Sequence, residues 1–345
     1  MIKDKYYTST LSLIGLADFI NSLGGDAVSM AHASGITKEQ LYSDDQFIPF
    51  HTAIDFLETA ARQLNKPEFS LDYVAQMPQE LPTVAPIALL IHLAKTPQHW
   101  FRLTNSYLSV YNNAQSYVLT NGPSANTISF ALNLMGYARN PKQWELRSLA
   151  LFKRIVETNL VHCNALPLKV TFTHEEPSNL TSYRGVFGCE LAFNATQSRI
   201  TYDKSILDHK IPGTMKSTKL LIDYYIERSK PQDDDPTMRT KVAAVIPVLF
   251  GTGRCNLEQI AILLQTNPKK IQRELEKEQT TFSKILDEIR SQRALKQLSQ
   301  SNAQISQIAG YLDYSSATAF SFAFKRWQGV GPKEFRNRQN SKGHS

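Results

Sequence analysis

"TAFSFAFKRWQGVGPKEFR", Thr318 to Arg336, places Phe320, Phe324 and Trp327 four and three positions apart, on one face of a helix, and leaves Thr318, Ser321, Lys325 and Arg326 on the other edge. Gly329-Val330-Gly331-Pro332 ends that helix, and a last short helix containing Phe335 and Arg336 follows. A helix that is apolar on one side and basic at its end can dock on a small bundle and offer its polar edge to an anionic partner.

Upstream, "QISQIAGYL" (304–312) sets Ile305, Ile308, Ala309 and Leu312 inward, and "DYSS" (313–316) makes a tight turn into the quoted helix. The same design occurs once before, in "NLEQIAILLQTNPKKIQRELEKEQT" (256–280). Leu257, Ile260, Ala261 and Leu264 form one face, "QTN" breaks the helix, Asn267 caps the next one and Pro268 opens it, with Ile271 and Leu275 inward. Its outward row is Lys269, Lys270, Gln272, Arg273 and Glu276. Such a row can enter a major groove, where Arg suits guanine O6/N7 and Gln suits adenine N6/N7. Between the units lies "TTFSKILDEIRSQRALKQLSQ" (280–300), a spacer helix about 27 Å long with Thr281 as its cap. Its apolar stripe is Phe282, Ile285, Leu286, Ile289, Leu295 and Leu298, and Arg290, Arg293 and Lys296 form a solvated face.

Charge is distributed to match. Residues 1–236 hold 21 Lys and Arg against 23 Asp and Glu, a net −2, whereas residues 237–345 hold 17 against 8, a net +9. That asymmetry suggests a polyanionic partner, and double-stranded DNA is the first candidate.

From Thr240 to Arg338 the chain resembles the AraC/XylS family of bacterial transcription regulators. The likeness is carried by Ile308-Ala309 through "YSSATAFSFAFKRWQGVGPKEFR" and by "IQRELEKE" at the first recognition helix. The resemblance implies two helix-turn-helix units, with base readers at Lys269, Gln272 and Arg273 in the first and at Ala317, Thr318, Ser321 and Phe322 in the second. Asn267, Lys270, Ser316, Lys325 and Arg326 complete the candidate DNA-binding set. Two positions depart from the family pattern. Asp313 stands at a turn position where the family usually has Gly, and Phe322 stands where Arg is common. A phenyl ring can touch a thymine methyl but cannot bond guanine, so most base discrimination is expected from the first unit. The resemblance also implies a promoter target and favours activation through contact with RNA polymerase, with repression as the alternative.

The rest of the chain has a different texture. "LSLIGLADFINSLGG", "DAVSMAHASG", "TKEQLYS" and "FHTAIDFLETAARQLN" read as helices. "AQSYVLT" and "ANTISFALNL" flank "NGPS" as a β-hairpin, "PKQWELRSLALFKRIVETNL" is a helix with Pro at its first position, and "LPLKVTFTHEE", "CELAFNA" and "SRITYDK" are short strands. The expected architecture is an α+β N-terminal domain over 1–228, a linker at 229–236 around "PQDDDPT", and an all-α C-terminal domain over 237–345 with two helix-turn-helix units joined by a linker helix. "CELAFNATQSRITYDKSILDHKIP" resembles the arabinose-binding-like N-terminal region of the subgroup that includes ornithine-utilisation and virulence regulators. That likeness implies a domain that senses a small effector, self-associates as a homodimer, or both. Trp100, Phe101, Tyr107, Tyr111 and Tyr117 are read as core aromatics that a pocket could also use.

No catalytic pattern stands out. The 8 histidines, among them His92, His99, His162 and His174, make no HExxH or Cys/His knuckle, so neither a metal nor a cofactor is expected. "GTGR" at Gly251 lacks the features of a phosphate loop, and no GxSxG elbow exists. Cys163, Cys189 and Cys255 are too few and too scattered for a disulfide framework and are expected as buried small apolar residues. With neither a membrane span nor a secretory signal in the sequence, a cytoplasmic regulator that is not an enzyme is expected. The alternatives are a ligand-binding or enzymatic N-terminal domain with DNA binding secondary, and a non-specific nucleoid-type binder.

Overall fold

The computed structural model describes residues 6–43, 46–77, 94, 96–137, 141–160, 165–209, 236–251, 253–300 and 304–342. They divide into two units, one reaching residue 209 and one beginning at residue 236. Residues 229–235 of the expected linker at 229–236, Cys163, His92, His162 and the side chain of Tyr107 lie outside the described residues.

The first unit opens with a strand that the sequence did not reveal, β1 (Tyr7–Ser9), paired antiparallel to β2 (Phe47–Pro49). The expected first helix is interrupted: a 3-10 turn, Thr10–Leu13, precedes α1 (Leu16–Ser22), because Gly15 takes a left-handed conformation at φ 80°. Asp26 caps α2 (Ala27–Ala33) by accepting from the amides of Val28 and Ser29, and Thr37 with Gln40 forms a capping box on α3 (Lys38–Leu41). α4 (Phe50–Gln63) and α5 (Phe69–Gln76) follow, then α6 (Pro97–Tyr111).

The expected hairpin is present as β3 (Gln115–Asn121) and β4 (Thr127–Leu134). β5 (Lys169–Thr171), β6 (Glu190–Ala192) and β7 (Arg199–Asp203) complete a five-stranded sheet of order β3-β4-β7-β5-β6, antiparallel except for β5 with β6. α7 (Lys142–Asn159) packs on this sheet and on α4 and α5, with Pro141 one position before the helix, and α8 (Thr181–Phe187) packs on α5 and α7. Phe101 of α6, Phe130 of β4 and Phe152 of α7 meet at ring separations of 4.7 and 4.9 Å. Trp100, Phe101, Tyr111 and Tyr117 are all buried, as core aromatics should be.

Polar groups inside this core come mostly from α7. Gln115 accepts from the Trp144 indole at 2.7 Å. The Glu145 carboxylate accepts from the Thr173 amide at 3.0 Å and hydroxyl at 2.7 Å, and from Ser198. Buried Arg147 donates to the Ser12 carbonyl at 2.9 Å and lies over the Trp144 ring. Between α5, α7 and α8 opens a cleft of about 780 Å³, edged by Asp72, Lys153, Arg154, Glu157 and Ser182.

The second unit has only helices among its described residues. α9 (Met238–Leu249) packs on α10 (Leu257–Leu263), α11 (Pro268–Lys277) and α12 (Phe282–Gln300). α13 (Ile305–Tyr311) packs on α14 (Ala317–Gln328), while α14 and α15 (Pro332–Lys342) both pack on α12. α12 holds the unit together with Ile285, Ala294 and Leu298 buried, whereas Phe282, Ile289 and Leu295 of the expected stripe are only half-buried. Cys189 and Cys255 are half-buried rather than fully enclosed, and burial pushes their thiols up to about 11 and about 12. Both are protonated at neutral pH. Among the described residues no helix is long and apolar enough to cross a membrane, and no group of three His, Cys, Asp or Glu could hold a metal ion.

Candidate nucleic-acid interface

The two helix-turn-helix units share one backbone design. At the end of α10 the Thr266 amide bonds to the Ala261 carbonyl at 2.9 Å, and at the end of α13 the Tyr314 amide bonds to the Ala309 carbonyl at 2.9 Å. In each turn the residue before the donor is left-handed, Gln265 at φ 52° and Asp313 at φ 56°. Asn267 then caps α11 by accepting from the Lys270 amide at 2.8 Å, and Ser316 caps α14 by accepting from the Ala319 amide at 3.1 Å. Ile271 and Leu275 bury one face of α11; Phe320 and Phe324 bury the corresponding face of α14, with Trp327 half-buried beside them. In α10 the buried set is Ile260, Ala261 and Leu263 rather than Leu257 or Leu264, because the helix ends at Leu263 and Leu264 already belongs to its cap.

The second turn is one residue longer. Counting from the buried anchors, Ile271 corresponds to Phe320 and Leu275 to Phe324, so Lys269 matches Thr318, Gln272 matches Ser321, Arg273 matches Phe322 and Glu276 matches Lys325. Most of the candidate readers are exposed: Asn267, Lys269, Lys270, Gln272 and Arg273 on the first unit, and Ser316, Thr318, Phe322, Lys325 and Arg326 on the second, while Ala317 and Ser321 are half-buried.

Several of them have partners in the free protein. Arg273 pairs with Glu274 at 3.3 Å, and Lys277 with the same carboxylate at 3.1 Å. Exposed pairs of this kind contribute little and open easily to a phosphate or a base. Arg326 pairs with Asp287 of α12 at 2.6 Å. The Ser321 hydroxyl donates to the Ala317 carbonyl one turn back at 2.7 Å, so in this state it is engaged within its own helix.

Three contacts that the sequence did not reveal set the frame. The Asp313 carboxylate accepts from the amides of Gly253 at 3.0 Å and Cys255 at 3.1 Å, linking the second turn to the segment that leads into α10. Gly251 and Gly253, in the "GTGR" that lacks the features of a phosphate loop, therefore belong to the contact between this segment and the second turn. Burial raises the pKa of Asp313, against the opposing pull of these amides and Arg290. Arg290 is not part of a solvated face: it donates to the Asp313 carbonyl at 3.2 Å and lies over the Tyr314 ring at 4.6 Å. The Glu278 carboxylate accepts from the amides of Met238 and Arg239, both at 2.8 Å, and so holds the start of α9 against the end of α11.

The sequence of this chain is similar to those of known proteins. Residues 24–211 match the arabinose-binding domain of AraC transcription regulators, and residues 260–338 match a helix-turn-helix domain. The HTH-type transcriptional regulator VirS of Mycobacterium tuberculosis is 25% identical over 327 residues, covering 94% of this chain and 95% of its own. The ornithine utilization regulator of Pseudomonas aeruginosa is 24% identical over 173 residues, 49% of this chain and 50% of its own. Among solved structures, a DNA-binding transcriptional dual regulator from Escherichia coli K-12 is 30% identical, spanning 32% of this chain and 99% of that one, with a TM-score of 0.31.

Proposed function

The chain belongs to the AraC family of transcription regulators, and from that premise we propose that it recognises promoter DNA by placing α11 and α14 in successive major grooves. It is a DNA-binding transcriptional regulator and not an enzyme. The observation that carries the docking is the pair of equivalent turn-helix units, whose outward rows lie in the part of the chain with a net charge of +9.

In this reading residues 1–228 form a sensing or dimerising domain, 229–236 a linker and 237–345 the DNA-binding domain, and the protein works in the cytoplasm. Lys270, Lys325 and Arg326 bond phosphates and supply affinity that falls with salt, while Asn267 and Ser316 fix the helix starts against the backbone. Lys269, Gln272 and Arg273 read base edges in one half-site; Ala317, Thr318, Ser321 and Phe322 face those of the other. A small effector binds the N-terminal unit, for which the cleft between α5, α7 and α8 has suitable volume and mixed charge. The bound state then favours activation through contact with RNA polymerase.

The test is selection of genomic fragments on the full-length protein, followed by titration of the best fragment and a scrambled copy at two salt concentrations. A two-part motif spaced by about one helical turn, bound far more tightly than the scramble, is the expected result. Equal affinities would instead mean a non-specific binder.

A further inference from the structure

Phe322 is 73% exposed, more than any other large apolar side chain among the described residues. It is no part of the α14 core, which Phe320, Ala323 and Phe324 form. It stands where α11 carries Arg273, on the outward face, with Thr318 one turn before it and Lys325 just after. Of the polar groups around it, the Ser321 hydroxyl bonds its own helix, and Lys325 and Arg326, toward the helix end, are the phosphate contacts of the docking proposed above. The outward middle of α14 is therefore a phenyl ring beside a threonine methyl, with no guanidinium at the position that Arg273 fills in α11.

In the major groove the one apolar feature that distinguishes base pairs is the C5-methyl of thymine. We propose that α14 reads its half-site by apolar contact, with Phe322 packed against one or two thymine methyls and Thr318 beside it. This rests on the docking proposed above and gives the second unit a base preference of its own, opposite in chemistry to that of the first. Arg273 selects guanine, whereas Phe322 selects thymine.

The experiment uses the full-length protein and the tightest selected fragment, with each thymine of the α14 half-site replaced singly by deoxyuridine. That change removes a methyl and leaves every hydrogen-bonding group in place. One or two replacements should weaken the wild type about fourfold each, the effect of losing one buried carbon group, and should leave F322A unaffected. F322A should bind the parent fragment as the wild type binds the demethylated one, so that the two losses do not multiply. F322R should gain affinity for a fragment carrying guanine at that step. An exposed Phe→Ala change inside a helix leaves folding intact, which a thermal melt verifies.

A flat deoxyuridine scan overturns the proposal, as do F322A and demethylation effects that multiply independently. F322A binding every fragment like the wild type also overturns it. Failure to select any preferred fragment is a different result: it removes the docking on which the proposal rests, whereas a preferred fragment insensitive to its methyls removes the proposal alone.

Discussion

The two helix-turn-helix units have the same scaffold and opposite faces. Their turns share a left-handed residue and the same closing bond, their caps bond the same amide, and their buried anchors fall in register. Outside, α11 carries two lysines, a glutamine and an arginine, while α14 carries a threonine, a serine and a phenylalanine before its two basic residues. Position within the motif therefore dictates shape, and the outward side chains dictate what the shape recognises.

Four sets of substitutions test how far the shared scaffold and the contrasting faces extend. The largest effects belong to the anchors. Phe320→Ala should cost about 3–5 kcal/mol and Ile271→Ala about 2–5 kcal/mol, measured by chemical denaturation followed by circular dichroism. A near-neutral Ile271→Ala would mean that the units are not equivalent in packing.

Next, Arg273→Ala should lose about 1–3 kcal/mol on the selected site and little on random DNA, measured by titration of both. An equal loss on both would reduce Arg273 to a phosphate contact.

The turns come third, since both hold a side chain in a region that suits glycine. Gln265→Gly should stabilise by about 1 kcal/mol by relieving the left-handed strain. Asp313→Gly relieves the same strain but removes the acceptor of two amides, and should destabilise by roughly 1 kcal/mol. Equal responses would show that the Asp313 bonds contribute nothing. Asp313 also has a pH signature. Its pKa is raised in the folded state, so near its titration the folded form binds more protons and stability falls as pH rises through the raised value. Asp313→Asn should flatten that part of the profile.

The smallest effect is that of Lys325→Ala, which should weaken selected and random DNA alike and lower the slope of log affinity against log salt by about one. A selective loss would make it a base reader.

Much of the C-terminal unit was legible because its determinants are local: caps, a helix-opening proline and apolar residues three and four apart all act within one or two turns. Asp313 was legible only as an awkward residue in a turn, because its partners Gly253 and Cys255 lie 60 and 58 positions away. Arg290 looked like a surface cation for the same reason. In the first unit the hairpin, the long helices and even the short β5 and β6 could be read, but β1 and β2 run straight into the helical turns Thr10–Leu13 and Phe50–Gln63, whose spacing hides them. Glu145 and Arg147 gave no sign of burial, since their partners come from Thr173, Ser198 and Ser12, far along the chain. Phe322 was visible from the start, but its exposure needed the fold.

The bonds from Gly253 and Cys255 to Asp313, with Arg290 laid on Tyr314, have a consequence for the DNA as well as for the protein. In the docking proposed above, two readers clasped together would not swivel independently, and the protein would measure angle along the duplex. Each base pair inserted between the half-sites rotates the second by roughly 34–36° about the axis, and a clasped pair must twist the DNA or release one side. The clasp is then a gauge of helical phase, and promoters differing by a single base pair between half-sites would be sorted by torsion before any base is read.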